Sequence, residues 1–287
     1  MSTAVPKPLL SLIQARLSAA QLAELQAELK GLAESPERVH SALTPIARRY
    51  GRRHLIGTFS ARSQQRVEGE YGPVHVGEWR LDEAIKVWLL SELARAEAQP
   101  NQRLFQVYEQ GDTEAKVACL RALNFTQGDL EAGLALVHDA GRTYLNELME
   151  AGWRDNPFAA RHLSDEEYRK AVLKALFCQV DISGFIGLAE RADEELARSL
   201  CAYADEREAA GREVPSALWP VAARYPSPGL VARLIGRLEH PSAQERLIAA
   251  QALKAAADER AEPFLRDRLD REQVTSVREA IELALAG

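Results

Sequence analysis

The last sixty residues of the chain repeat one pattern with an offset of 31 to 32 residues. The segment LIGRLEHPSAQERLIAAQALKAA aligns with FLRDRLDREQVTSVREAIELALA. In this alignment Leu234 matches Leu265, and Arg246 matches Arg278. Each copy has two amphipathic stretches separated by a turn, which predicts a pair of helices. Because such a pair cannot bury its apolar faces alone, the repeat constrains the chain to a stack of helices.

The repeated unit resembles a HEAT repeat, with a turn at His240 and Pro241 and with alanines at close contacts in its second helix. Two units are too few to stand alone, so we expect them to pack on the helices that precede them. The sequence therefore predicts a helical domain over residues 1–225, and HEAT-like helical pairs over residues 226–287 that pack on it.

The rest of the chain also has helical periodicity. Ala, Leu, Glu and Arg dominate and aromatic residues are only 6%, a mixture that favours helix. Ser18 with Gln21, and Ser164 with Glu167, have the spacing of capping boxes. Another helix is predicted from Asp129 to about Gly152. The predicted fold class is all-α, a helical stack of the HEAT-like α-solenoid type.

Residues 57–78, GTFSARSQQRVEGEYGPVHVGE, show no helical period. A loop of this length is uncommon inside a compact domain. It either holds a short hairpin or forms a mobile lid.

Several function classes receive no support. The net charge of −6 disfavours nucleic acid as a partner. No window approaches eighteen uncharged apolar residues, so we predict no transmembrane segment and a cytoplasmic protein. The six histidines lack H-x-x-x-H spacing, and G-x-S-x-G and Walker motifs are absent. We therefore predict neither a metal nor a cofactor.

Five basic or potentially basic residues fall within seven positions: Arg48, Arg49, Arg52, Arg53 and His54. Arginine forks bind phosphate or carboxylate in a bidentate manner, so the four arginines are a candidate anion patch. The alternative is a solvated face that pairs with neighbouring acidic helices.

The stretch DNPFAARHL, residues 155–163, breaks the helical pattern. Pro157 ends the preceding helix, and Leu163 stands before the Ser164 cap as part of a hydrophobic staple. A helix corner thus explains most of the stretch. The helix corner does not explain Arg161 and His162. Their side chains either bind exposed helix carbonyls or point into a pocket.

From about residue 79 to 225 the chain resembles the EboA family. The matching pieces are WRLDEAIKVWLL, DNPFAARHLSDEEYRKAVLKALF and GLAERADEELARSLCAYADEREAAGREVPSALW. The ordered set N-P-aromatic, L-K-A-L-F, G-L-x-x-R, E-R-x-A-A-G-R and Leu-Trp carries the resemblance, because its order and spacing are hard to obtain by chance. Residues 1–56 match loosely, and the C-terminal repeats look like an addition to the family core.

The resemblance implies a gene cluster that also encodes a UbiA-like membrane prenyltransferase, a TatD-like metal hydrolase and sugar-phosphate-type enzymes. It implies partners from that cluster, the membrane prenyltransferase among them, a small anionic or prenylated metabolite, and a location in the cytoplasm or at the inner membrane surface. No catalytic residue is carried over. The family pattern singles out Asn156, Pro157, Leu173, Lys174, Phe177, Arg191, Glu206, Arg207, Gly211, Arg212 and Trp219.

Core packing alone does not demand the charged positions of this pattern. The predicted ligand- or partner-binding residues are Arg161, His162, Lys174, Arg191, Arg207, Arg212 and Trp219. The first hypothesis is a non-enzymatic scaffold or metabolite-binding protein in a bacterial pathway that makes or exports a secondary-metabolite precursor. The alternative is an enzyme acting on a phosphorylated or prenylated small molecule, with His162 as acid–base, because an ordinary pKa of about 6.5 suits proton transfer.

Overall fold

The computed structural model describes residues 7–62 and 64–286, and it confirms the all-α fold class. The chain forms two compact units. Unit 1 comprises the residues up to Ala171 together with Gly184–Ile186, and unit 2 comprises Val172–Ser183 and the residues from Gly187 on. The predicted boundary near residue 225 separates the helical domain from the HEAT-like pairs in sequence, and it stays a prediction. Among the described residues, none of the helices combines the length and apolar character needed to cross a bilayer.

Unit 1 holds the helices up to α11, the start of α12, and a two-stranded antiparallel hairpin. The bounds are α1 Lys7–Gln14, α2 Ala19–Glu34, α3 Val39–Leu43, α4 Ile46–Tyr50, α5 Phe59–Arg62, β1 Arg66–Gly69, β2 Gly72–His75, α6 Leu81–Arg95, α7 Pro100–Gln110, α8 Thr113–Ala122, α9 Leu130–Ala140, α10 Asn146–Trp153, α11 Pro157–His162 and α12 Asp165–Phe177. Short 3-10 helices lie at Pro36–Arg38 and Leu123–Phe125.

Helix α6 is the centre of unit 1. Twelve of its fifteen residues are buried, and it packs against α1, α2, α4, α7 and α8. The apolar residues Leu81, Ile85 and Trp88 account for one side of this burial. The structure buries Asp82 and Lys86 as well, so the helix is surrounded by protein on all sides rather than on one face.

Both predicted capping boxes form. The Ser18 hydroxyl accepts from the Gln21 amide at 3.2 Å, and the Gln21 side chain accepts in return from the Ser18 amide at 3.1 Å. Ser164 and Glu167 make the equivalent pair at the start of α12, at 2.9 and 3.3 Å. These local bonds fix where α2 and α12 begin.

The hairpin predicted within residues 57–78 is confirmed as β1 and β2. Its turn is attached to the rest of unit 1. The Glu70 carboxylate accepts from Arg95 at 3.1 Å and from Gln127 at 2.7 Å, and the Glu70 amide donates to the carbonyl of Asn124 at 2.8 Å. The hairpin turn is therefore a fixed part of the unit 1 surface.

The single helix predicted from Asp129 to Gly152 is wrong, because the chain turns between α9 and α10. A Cβ on Gly141 would lie 2.8 Å from the Trp153 ring, so the indole packs closely against the backbone at this point. The Thr143 hydroxyl then accepts from the Leu145 amide at 3.1 Å, which stabilises the turn.

Unit 2 holds the end of α12 and the remaining helices, among them the two pairs that the repeat predicts. The bounds are α13 Glu194–Ala209, α14 Trp219–Ala222, α15 Pro228–Arg237, α16 Ala243–Ala256, α17 Glu262–Arg271 and α18 Thr275–Leu285, with 3-10 helices at Ser216–Leu218 and Glu259–Ala261. A further 3-10 helix, Ile182–Gly184, ends at the first residue of the segment that belongs to unit 1.

The matched arginines of the repeat have matched roles. Arg246 donates to the carbonyl of His240 at 2.9 Å, and Arg278 donates to the carbonyl of Leu269 at 2.7 Å. Each guanidinium thus satisfies a carbonyl near the end of the first helix of its own pair. The repetition in sequence therefore reflects a repeated hydrogen bond as well as repeated apolar contacts.

A buried carboxylate joins the two helical pairs. Glu272 accepts from Arg246 at 2.7 and 3.0 Å, from Arg268 at 2.7 Å, and from the Val274 amide at 3.0 Å. Hydrogen bonds from Arg246 hold the pKa of the Glu272 carboxyl well below its ordinary value of 4.5. The ionised form is thus the one that the fold stabilises.

We predict that Glu272→Gln destabilises unit 2 by about 3 kcal/mol, because it leaves the guanidinium of Arg246 buried without its counter-charge. Since folding lowers the pKa of this carboxyl, its contribution is full above pH 4.5 and is lost as the pH falls below that value. Amide hydrogen exchange in α16, measured from neutral pH downward, tests both statements. The exposed Glu279→Gln on α18 is the control, and equal effects of the two substitutions would contradict the prediction.

Candidate functional site

Two separated pieces of the sequence pattern, L-K-A-L-F and E-R-x-A-A-G-R, meet in unit 2. They border a cavity of about 430 Å³, which we name the α12–α13 cavity. Its lining residues are Phe177, Gln179, Tyr203, Glu206, Arg207, Arg212 and Glu213. Two of the arginines predicted as binding residues, Arg207 and Arg212, are thus brought together; that they bind a ligand stays a prediction.

The apolar wall of this cavity is an aromatic pair. Phe177, the last residue of α12, is 64% exposed, and its ring meets the Tyr203 ring edge-on at 5.2 Å. Tyr203 is buried and donates its hydroxyl to the Leu176 carbonyl at 2.9 Å. Tyr203 is therefore fixed, while Phe177 presents a large apolar surface to solvent.

Two contacts hold the guanidinium of Arg207 in place. Its Nε donates to the Glu213 carbonyl at 2.9 Å, and its guanidinium lies 5.9 Å from the centre of the Tyr203 ring. These contacts orient the planar group while its Nη edge stays suited to bidentate binding of an anion.

The end of α13 places Arg212 beside Arg207. Gly211 adopts a left-handed conformation with a φ of 64°. The Arg212 amide donates to the Arg207 carbonyl at 2.8 Å, and the Gly211 amide donates to the Glu208 carbonyl at 2.9 Å. These two bonds are those of a Schellman motif, which explains why the pattern has glycine directly before the second arginine.

Charge in the α12–α13 cavity is balanced. Glu206 and Glu213 are exposed and line the same cavity as Arg207 and Arg212, so two formal negative charges offset two positive ones. A bare dianion is therefore less well suited to the cavity than a molecule whose apolar part contacts Phe177 and whose anionic group meets the arginines.

The other predicted residues of unit 2 lie in different settings. Lys174 and Arg191 are half-buried, and each interacts with other groups of the protein. Trp219 is completely buried, with the guanidiniums of Arg233 and Arg237 lying 4.9 and 4.7 Å from its ring. This places the indole in the core of unit 2 as a packing and cation–π group. Roles of these residues in binding stay predictions.

Arg161 and His162 end α11 in unit 1. Arg161 is exposed, whereas the His162 ring packs 5.1 Å from Tyr71 and 4.8 Å from Phe158. Burial, together with the charge of Arg161, lowers the pKa of His162 below its ordinary value. The imidazole is thus largely neutral at pH 7 and acts as part of an aromatic cluster, while its acid–base role stays a hypothesis.

The four arginines of the predicted anion patch are Arg48, Arg49, Arg52 and Arg53. Two of them pair with carboxylates on other helices, Glu28 at 2.9 Å and Glu114 at 2.7 Å. A third, Arg53, donates to the backbone carbonyls of Arg16 and Tyr50. Protein groups thus already satisfy much of this cluster, and its role in anion binding stays a prediction.

A cavity of about 1000 Å³ between α7 and α9 was not predicted from the sequence. On α9 it is lined by Leu130, Leu134 and His138, with Arg142 just beyond the end of that helix, and on α7 the buried Tyr108 donates to Asp139 at 2.9 Å. The signal in the sequence was the spacing of four residues from Leu130 to Arg142, which puts an apolar and basic stripe on one side of the chain. The described residues contain no group of three or more His, Cys, Asp or Glu side chains placed to hold a metal ion.

Residues 6–223 match the family described as metabolite traffic protein EboA. This chain belongs to the EboA family. The match includes the α12–α13 cavity and both sequence pieces that border it, whereas the HEAT-like pairs from α15 on lie beyond the EboA match. In the same comparisons no curated protein and no solved structure matches the chain.

We predict that Gly211→Ala costs about 1 kcal/mol, because a Cβ disfavours the left-handed conformation although nothing lies within 4 Å of it. The loss should appear as faster hydrogen exchange of the Arg212 amide, which closes the Schellman motif. Gly229→Ala in α15 is the matched control, since that glycine also has open space but no left-handed conformation. Equal exchange rates at Arg212 in wild type and Gly211→Ala would contradict the prediction.

Proposed function

We propose that this EboA-family chain is a non-enzymatic metabolite-binding protein whose ligand joins an apolar chain or ring to an anionic group. The observation that carries the proposal is the exposed Phe177 beside Arg207 and Arg212 in one cavity. Burial of apolar surface on Phe177 would contribute affinity, and the two guanidiniums would select the anionic end.

The proposal agrees with the family description, which is metabolite traffic. A traffic protein must bind its cargo and release it without changing it. An open cavity with balanced charge suits this task, because moderate affinity permits release. A prenyl chain bearing a diphosphate or carboxylate is a ligand of this chemistry.

We further propose that the pathway makes or exports a bacterial secondary-metabolite precursor, and that the protein acts as carrier or scaffold in the cytoplasm or at the inner membrane surface. Its partners would be the other proteins of the gene cluster, including a membrane prenyltransferase that supplies or receives a prenylated compound. Affinity capture from the native host, followed by native mass spectrometry, identifies such partners together with any small molecule that stays bound.

The binding test uses farnesyl diphosphate, with farnesol and inorganic diphosphate as probes of the apolar and anionic parts alone. In isothermal titration calorimetry we expect Arg207→Ala and Arg212→Ala each to weaken farnesyl diphosphate binding about tenfold, because each removes a charge-assisted hydrogen bond. Phe177→Ala should weaken farnesyl diphosphate and farnesol but leave inorganic diphosphate unchanged.

Arg198→Ala is the matched control for these variants. Arg198 lies on the same helix, is exposed, and pairs with Glu194 at 3.8 Å away from the cavity. Circular dichroism confirms that each variant is folded. Wild-type affinity for farnesyl diphosphate in the Arg207→Ala, Arg212→Ala double variant would refute the proposed site.

A further inference from the structure

Both helices that border the α12–α13 cavity end in the same hydrogen-bonded turn. At the end of α13, the left-handed Gly211 belongs to the Schellman motif described above. At the end of α12, the Gln179 amide donates to the Leu176 carbonyl at 3.1 Å, and the Val180 amide donates to the Ala175 carbonyl at 2.8 Å. These bonds have the same spacing as those of α13, so Gln179 occupies the position that corresponds to Gly211.

Glutamine is an unusual residue at this position. The φ of Gln179 is 60° and that of Gly211 is 64°, so both residues lie in the left-handed region. Glycine adopts this conformation without penalty, whereas a Cβ crowds the following carbonyl oxygen. Among the other residues Asn and Asp tolerate it best, and glutamine has no such advantage. Glycine would therefore serve the turn better, and the turn gives no reason for an amide side chain.

Local packing accounts for the turn but not for the side chain of Gln179. Val180 is largely buried and Ala175 is completely buried, so the apolar contact that accompanies a Schellman motif is in place. Gln179 itself is exposed. Within the described ranges 7–62 and 64–286, its carboxamide takes part in no hydrogen bond with the protein. The donors and the acceptor of this group are therefore available to a ligand.

The carboxamide adds a neutral polar group to a charged wall. Gln179 lines the α12–α13 cavity together with Arg207, Arg212 and two glutamates. An amide N–H donates a hydrogen bond to an oxyanion without altering the balance of charge in the cavity. Gln179 reaches the cavity from the end of α12, whereas both arginines reach it from the end of α13. An anionic group bound there can thus be contacted from both helix ends.

We propose that Gln179 is a specificity-determining residue of the α12–α13 cavity, whose side-chain amide donates a hydrogen bond to an oxygen of the ligand's anionic group. This inference rests on the proposed function, because it assigns a role within the same binding site. A residue in a strained conformation is retained at a ligand site when its side chain is needed there. The loss of stability at the end of α12 is then the counterpart of a gain in affinity.

A second left-handed residue provides an internal comparison. Ala257 ends α16 with a φ of 47°, and its amide donates to the Leu253 and Lys254 carbonyls, both at 3.2 Å. Ala257 lies outside the lining of the α12–α13 cavity. The two residues thus share a backbone conformation and a place at a helix end, and of the two Gln179 alone lines the cavity. Substitutions at both positions separate the effect of backbone strain from that of the side chain.

The test compares glycine substitutions at the two positions in the full chain. Gln179→Gly and Ala257→Gly should each raise the midpoint of thermal unfolding by about 2 °C, because both relieve the left-handed backbone. In isothermal titration calorimetry, Gln179→Gly should weaken farnesyl diphosphate binding about fivefold, since one hydrogen bond is lost. It should leave farnesol binding unchanged. Ala257→Gly should bind both compounds as the wild type does.

An isosteric substitution tests the chemistry of the amide. Gln179→Glu keeps the size of the side chain but replaces the donor with a carboxylate. We therefore expect the affinity for farnesyl diphosphate to fall more than about tenfold, and the affinity for farnesol to stay the same. Gln251→Glu is the matched control, because Gln251 is exposed on α16 outside the cavity and the substitution adds the same charge to unit 2.

The outcomes separate this inference from the proposed function. Wild-type affinity for farnesyl diphosphate in Gln179→Gly, with binding lost in the Arg207→Ala, Arg212→Ala double variant, would overturn the role of Gln179 and leave the proposed site in place. Unchanged affinity in all of these variants, or no binding by the wild type, would overturn both. A loss in Gln179→Glu without one in Gln179→Gly would indicate a nearby charge rather than a hydrogen bond, and would also contradict the inference.

Discussion

Unit 1 depends on the burial of α6 on every side. The helix carries Lys86 into that interior, where only 4% of the residue is exposed, and its ammonium pairs with Glu114 at the start of α8. A buried ammonium without a counter-charge would cost several kcal/mol, so α8 must dock in one orientation for α6 to be buried. Hydrogen bonding to Lys86 lowers the pKa of Glu114, so this carboxylate remains ionised at neutral pH. The surrounding helices, and the hairpin and corner beyond them, then pack around a fixed axis.

The sequence was informative wherever a contact is local. The capping boxes and the matched arginines of the repeat involve groups at most nine residues apart, and residue types with their spacing indicate them. The break between α9 and α10 escaped prediction because Gly141 meets Trp153, twelve positions along the chain. Trp219 was predicted as a binding residue from the family pattern, but a pattern of this kind does not separate an indole in a core from one at a surface.

The same distinction between local contacts and contacts far apart in sequence applies to the candidate sites. The family pattern named Phe177 and Arg212, which lie 35 positions apart in sequence, without indicating that they border one cavity. In the stretch DNPFAARHL, the sequence singled out Arg161 and His162 because a helix corner did not explain them. The structure packs His162 against aromatic rings, and it places Gln179, which the pattern did not single out, at the wall of the α12–α13 cavity. A residue in a turn position can thus line a cavity, which its place in the sequence alone does not reveal.

The path of the chain between the units has a consequence for how they can be separated. The backbone leaves unit 1 after Ala171, returns for the three residues Gly184–Ile186, and leaves again. Three peptide bonds therefore cross from one unit to the other. A protein cut after Ala171 would lack the Gly184 carbonyl that accepts from the Asp155 amide, so its corner would lose an external tether that the intact chain supplies. The two units are each compact, but unit 1 keeps all of its residues only while the chain is continuous through Ile186.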